Sequence, residues 1–356
     1  MSYLLAFLGF AALIILHEAG HFVAAKAVGM RVERFSLFFG PMLVSRRWGE
    51  TEYGIASIPL GGYVKISGMN PEEEIPEELA PRAYCNQPVW KRIVVIAAGP
   101  AVNLLIAFVI IWALFMHNGQ LVATNQVYSV VRPSAAAGVL KPGDEIVSVD
   151  GVKGSIDQLR DEIAKHRCAG VQVNGCVSAT AATVVVRRDG RLRTFEIRPR
   201  YDAQAGRPLV GFSFGQIEPI GVLHATSLTV TGMWNVTTAT VSAIARIFEP
   251  KERSKLNGVV GVYTVTQESF ATSASLALQV LALISLSLGV INLFPFLPLD
   301  GGHIFWALAE KVRGKRIPVD VMERAGFVGV ALILMLFVIG LTNDISTLAG
   351  SGFNIH

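Results

Sequence analysis

Four stretches of the chain hold apolar residues without the polar interruptions that a half-exposed helix or strand would show. Residues 2–16 (SYLLAFLGFAALIIL) are almost continuously apolar. With residues 17–27 included, the segment is long enough to cross a hydrocarbon core of about 30 Å. No basic region precedes this run and no small-residue cleavage site follows it, so it reads as a retained span and not as a removable signal. A second run covers 93–116, a third 276–297 and a fourth 326–341. Residues 222–245 are also uncharged but rich in Ser and Thr. There Leu228, Met233, Trp234, Val241, Ile244 and Phe248 fit an amphipathic surface helix better than a span. Four spans are predicted.

Other segments follow a strand pattern. Residues 52–66 alternate, break at Gly61-Gly62 and are too short to span as a helix. A hairpin over about 52–68 is predicted, either embedded beside the spans or lying as a plain hairpin at the membrane face. Between 121 and 200, β-branched runs (Val127–Val131, Ile146–Val149, Thr183–Arg187, Leu192–Ile197) are separated by the turn signals Pro142-Gly143-Asp144 and Asp189-Gly190. A helix-like stretch, Ile156–His166, lies among them, so the insert reads as a compact α+β module. Residues 201–275 are expected to form a linker carrying the amphipathic helix.

Composition agrees with a membrane protein. Hydrophobic residues make up 52% and charged ones 16%, against roughly 25% charged in ordinary globular chains. The net charge of +4 comes without a basic stripe interleaved with aromatics, so nucleic acid is not an expected partner. Basic residues after the first span (Lys26, Arg31, Arg34, Arg46, Arg47, Lys91, Arg92) and after the third (Lys311, Arg313, Lys315, Arg316) put both loops in the cytoplasm. The insert then lies outside the cell membrane. Of three cysteines, Cys85 stands alone. Cys168 and Cys176 are near enough in sequence to pair in an oxidising compartment or to remain free thiols.

The chemistry sits in His17-Glu18-Ala19-Gly20-His21. On a helix the i and i+4 imidazoles point at one metal, and the intervening Glu can take a proton from a zinc-activated water. Ionisable groups in an apolar span cost roughly 2.5–3.5 kcal/mol per charge, which makes them a functional hypothesis by default. A catalytic zinc needs a third protein ligand and an open position. Asp300, in the stretch NLFPFLPLDGG ending the third span, is one candidate, and His303 is another. The first and third spans both run inward, so their ends arrive at similar depth on one side. His117, His166, His224 and His356 are expected to be solvated.

HEAGH in the first span, Leu299-Asp300-Gly301 after a later span, and the segment PSAAAGVLKPGDEIVSVDGV between them together resemble the site-2 protease family of intramembrane zinc metalloproteases. The similarity extends to Phe39-Gly40-Pro41, to SIPLGGYVKISGM (57–69), to Ala98-Gly99-Pro100 with Asn103, and to NLFPFLPLDGGH. It covers essentially the whole chain and is closest to bacterial members that cleave membrane-bound anti-sigma factors. The chain has room for one PDZ domain, and its proline spacing before Leu299-Asp300 resembles single-PDZ members.

The resemblance implies a multi-pass α-helical protein of the bacterial inner membrane, with four transmembrane helices, a membrane-associated β-hairpin and an inserted extracytoplasmic PDZ domain over 121–200. It implies Zn2+ held by His17, His21 and Asp300, and Glu18 as base. It implies substrate contacts at Asn292, Pro295, Gly61, Gly62 and Tyr63. Expected partners are single-span membrane proteins such as anti-sigma factors, a peptide or substrate tail at the PDZ domain, and the lipid bilayer. The reaction expected is the second cut of regulated intramembrane proteolysis, with signal-peptide remnants as further clients. The alternative is an inert PDZ-bearing membrane scaffold.

Overall fold

A computed structural model describes residues 2–70, 73–247, 249 and 258–349. Its contacts divide the chain into two units, Met1–Leu114 with Thr226–His356, and Phe115–Ala225. Four helices among the described residues are long and apolar enough to cross a membrane: α1 (Ser2–Ala27), α2 (Val89–Asn118), α6 (Ala274–Asn292) and α8 (Val319–Ala349). Helices α1, α2 and α8 each contain an expected apolar run and extend it, whereas α6 starts two residues before the expected run 276–297 and ends five short of it, at Asn292. Most of their surface faces outward, as it must where lipid and not protein covers the side chains.

After α1 the chain forms a long irregular hairpin, β1 (Val32–Trp48) and β2 (Thr51–Ile66), paired antiparallel. The expected hairpin over about 52–68 is corrected here. Residues 51–66 supply one strand, and the partner is the preceding segment 32–48, whose charges and Gly40-Pro41 conceal its alternation. The register gives Phe35 both Val64 and Tyr53 as partners, and Leu37 both Gly62 and Ile55, so this part of β1 has a neighbour on each side.

The hairpin runs alongside α1. Phe38 meets Phe7, Gly62 approaches Ile14 and Glu18, Phe35 and Tyr53 pack edge-on and tilted around Phe22, and Glu50 pairs with Lys26. From residue 7 to residue 26 the helix rises about 28 Å at 1.5 Å per residue. Over that length the sheet keeps alongside α1.

The β1–β2 turn is pinned by charge. Glu50 accepts two bonds from the Arg82 guanidinium (2.6 and 2.8 Å) and one from Lys26 Nζ (2.5 Å). These cations, Arg82 foremost, hold its carboxyl at about 2 against an ordinary 4.5. The folded value lies below the unfolded one, so the contribution is complete above pH 4.5 and fades as pH falls toward 2. Emission from the neighbouring Trp48, which is 82% exposed, should change over that window. In Glu50→Gln the titration should be flat.

Two further helices join this unit. Helix α5 (Val259–Thr272) packs on α1, α6 and α8, in a stretch expected to be linker. Its polar Thr, Gln and Glu residues break up the apolar signal. The buried carboxylate of Asp344, on α8, accepts bonds from the backbone N–H groups of Gly258, Val260 and Gly261 at 2.8–3.1 Å. Helix α4 (Val222–Ala245) forms as expected and is not among the four candidate spans. Its inward stripe differs from the expected one: Thr229 is buried, Met233 and Val236 pack on Leu286, and Trp234 is exposed. Phe248 lies outside the described residues, as does His356.

The second unit is a five-stranded antiparallel sheet of order β6-β5-β4-β3-β9, with β3 at Gln120–Val130, β4 at Glu145–Val149, β5 at Ala182–Arg188, β6 at Arg191–Ile197 and β9 at Phe212–Glu218. A short pair, β7 (Arg200–Asp202) and β8 (Arg207–Leu209), precedes β9. Helix α3 (Ile156–Ala164) begins with a capping box, Ser155 and Gln158 each bonding the other's backbone N–H. Its buried Leu159 and Ile163 join Val127, Ile146, Val184 and Val186 in the core.

The expected boundary at 200 is too early. β9 pairs with β3, some 90 residues back, and a linker reading of 201–221 could not reveal a partner so distant. Cys168 and Cys176 are disulfide-bonded, with Cα atoms 6.3 Å apart. His166 is not simply solvated. It is held between Asp150 (2.6 Å) and Thr180 (2.7 Å), and His224 bonds Gln120 at 2.9 Å.

Candidate metal centre

His17 and His21 lie on one face of α1, both buried, with their rings edge-on at 4.9 Å. Asp300 is the first residue of α7 (Asp300–Arg313), so the chain reverses after Asn292 and brings the carboxylate back at a helix N-terminus, where negative charge is favoured. The far end of α7 is tied to α2 by Arg92 and Glu310 at 2.6 Å.

The three groups converge on one point. His17 Nε2 and His21 Nε2 are 3.3 Å apart, and Asp300 Oδ2 is 3.3 Å from the first and 3.4 Å from the second. Tetrahedral ligands at zinc distances of about 2.0–2.1 Å stand about 3.3–3.4 Å from one another. The triangle has the size a zinc ion requires.

Its electrostatics require a cation as well. His21 Nδ1 faces the Val95 carbonyl at 2.8 Å, which fixes the ring proton there and leaves a lone pair on Nε2. His17 Nδ1 faces the Asn103 carboxamide at 3.0 Å. The amide nitrogen Nδ2 stands there, and Asn103 Oδ1 is buried without a partner; exchanging the two amide atoms would let His17 Nδ1 donate to Oδ1 and leave a lone pair on Nε2. Asp300 Oδ2 is buried with no hydrogen-bond donor. Three lone pairs directed at one small space repel one another until a metal occupies it. The residues fit zinc.

His303 lines the same cavity but stands outside the three-atom cluster. Two glycines make room. A Cβ on Gly99, in α2, would fall 2.2 Å from His21 Nε2, and one on Gly62 would fall 2.4 Å from Glu18 Cγ. The cavity measures about 380 Å³. Glu18, Gly61, Gly62, Tyr63 and Asn292 all line it, together with Phe39 and Met69. Pro295 does not line it. Pro298 does, because the chain turns away after Asn292 and returns only as it enters α7. The supports from Val95 and Asn103 had no sequence signal beyond the run Ala98-Gly99-Pro100 with Asn103, which gave them no role.

Comparison with known proteins agrees with this geometry. The model of peptidase family M50 matches residues 5–336. A Nostoc protein is 31% identical over 352 residues, covering 94% of this chain and 93% of its own. One from Clostridium perfringens is 30% identical over 349 residues (97% and 98%), and one from Campylobacter jejuni 29% over 350 residues (95% and 91%). Each of these relatives bears the printed name "putative zinc metalloprotease". With a zinc-sized triad drawn from the first span and the start of α7, and a family match over nearly its whole length, the chain belongs to peptidase family M50, the membrane-embedded site-2 type of zinc metalloprotease.

Proposed function

We propose that His17, His21 and Asp300 hold the zinc, that Glu18 is the general base, and that the enzyme cuts transmembrane helices of single-span membrane proteins. The observation that carries this reading is the convergence of three metal-directed lone pairs in a cavity that Glu18 also lines. When bound, the zinc would lower the pKa of a water and polarise the scissile carbonyl. Glu18 would take the water's proton and pass it to the leaving amine. Asp300 and the two histidines would keep the site open on the cavity side.

A helical peptide bond is covered and its carbonyl engaged, so the substrate must be unwound before attack. Residues 62–66 of β2 pair with 32–37 on one side and, among the described residues, have no strand on the other. That edge borders the cavity through Gly62, Tyr63 and Val64. A substrate strand added to it would present its backbone beside Glu18.

The Phe115–Ala225 unit we read as a PDZ domain outside the inner membrane, acting as a filter or docking site. The positive-inside rule supports that side, and so does a disulfide, which is at home in an oxidising compartment. Its five-stranded sheet, helix α3 and a groove lined by Arg160, Ile163, Arg207, Phe212 and Phe214 suit a peptide tail. The chain would then make the second cut after another protease has shortened the substrate's outer domain, as for an anti-sigma factor or a signal-peptide remnant.

Full-length enzyme in detergent should cleave a single-span substrate whose outer domain has been removed and spare the intact form. Phenanthroline should abolish the cut, and added Zn2+ should restore it. Equal cutting of both substrates would remove the filter role. Cutting of soluble peptides alone would remove the intramembrane reading.

A further inference from the structure

The second face of the hairpin carries a row of charge that the proteolytic site does not use. The register aligns Arg47 with Glu52, Glu52 with Arg34, and Arg34 with Lys65 across the sheet. These four, with Arg31 and Glu33, line a polar recess of about 630 Å³. The carboxylates are already engaged: Glu52 with Arg34 at 3.2 Å, and Glu33 with Lys65 at 2.7 Å, while Lys65 also holds Glu73 at 2.8 Å. Arg31 and Arg47 have no ion pair among the described residues. Two guanidiniums are thus left facing a recess whose own negative charge is spent.

The depth of this row is fixed by α1. The adjacent row, which includes Phe35 and Tyr53, is level with Phe22, and the turn beyond is level with Lys26. The charged row therefore lies between those levels, roughly 6–12 Å from Glu18 toward the end of the span at 1.5 Å per residue. That is where a spanning helix meets the lipid headgroups. Trp48, exposed beside Arg47, is a residue type enriched at that boundary. A substrate's cytoplasmic flank is itself basic under the same rule and would be repelled. The phosphate of an anionic lipid matches both the charge and the depth.

We infer that the recess between Arg31 and Arg47 is a binding site for the headgroup phosphate of an anionic phospholipid, which fixes the depth of the hairpin beside the catalytic cavity. The inference rests on the proposed membrane placement of the hairpin. Tyr63 lines both the recess and the cavity, so an occupant would brace the edge strand from behind.

Delipidated full-length protein in neutral detergent can be titrated with phosphatidylglycerol and its adducts counted by native mass spectrometry, with zinc content measured on the same samples. Wild type should retain one phosphatidylglycerol in preference to phosphatidylcholine. Arg31→Gln with Arg47→Gln should weaken retention about 10- to 30-fold, at about 1 kcal/mol per basic residue. Arg46→Gln removes the same charge at the neighbouring position, which does not line the recess, and should bind as wild type. If the double variant loses zinc as well, Arg47→Gln alone is compared with Arg46→Gln. Unchanged retention without Arg31 and Arg47, equal loss in Arg46→Gln, or displacement by inorganic phosphate at the affinity of the lipid would each overturn the site. Missing zinc in the wild type would instead count against the catalytic reading.

Discussion

Glu18→Gln should give a protein that binds its zinc fully and no longer cuts. Glutamine keeps the shape of the side chain, and Gly62 opposite it leaves the space unchanged. The three proposed ligands, His17, His21 and Asp300, are untouched. What disappears is the group that takes the proton, and a positioned base is commonly worth 10²–10⁴ in rate. Single-turnover cleavage of a shortened single-span substrate should fall by about 10²–10⁴-fold, while metal analysis still returns one zinc per chain. Asp300→Asn and His17→Ala should behave differently and lose zinc together with activity. Retained cleavage in Glu18→Gln would remove Glu18 from the mechanism. Loss of zinc from it would make Glu18 part of the metal's own support.

Gly99→Ala is the second large effect, and it runs against ordinary helix energetics. Alanine in place of glycine inside a helix is favoured by about 1 kcal/mol, so α2 by itself should gain. The added methyl, however, would stand 2.2 Å from Nε2 and 2.6 Å from Cε1 of His21. Helix α1 cannot retreat to make room without pulling its other residues off α2, because it is packed there at Gly20, 2.6 Å from the Ala98 carbonyl by the same measure. The imidazole must swing away and give up its bond to Val95. Losing such a support commonly costs 10–100-fold in metal affinity. Zinc affinity should therefore drop at least that far, and the metal-free protein should melt lower than wild type, because overpacking and an orphaned Val95 carbonyl cost more than helix propensity returns. Full zinc occupancy at limiting metal would mean that His21 is not held as described.

Parts of this protein were legible in the chain because they depend on neighbours in sequence. Apolar runs disclosed the four spans, and the i, i+4 spacing disclosed His17 and His21. Features built from distant segments were not. β1 is hidden by charges that point to the hairpin's second face, and β9 has its partner about 90 residues away. Helix α5 carries Gln267 and Glu268 and so fails an apolar test, although packing orders it. At the site, Gly99 and Asn103 come from another span, and no local pattern says what they face. Pro295 and Pro298 differ only in where a turn carries them, which spacing does not report.

The carboxylate of Asp344 has a consequence for how the protein is made. Helix α5, which touches the catalytic span, has its first amide groups met by a side chain translated some 80 residues later. Until residue 344 has been synthesised, those amides lack the carboxylate that meets them in the finished fold. A ribosome that stops short of residue 344 would leave a chain already carrying His17, His21 and Asp300 but with the helix beside them unanchored. A chain truncated before residue 344 should therefore show faster amide hydrogen exchange at the start of α5 than the full-length protein.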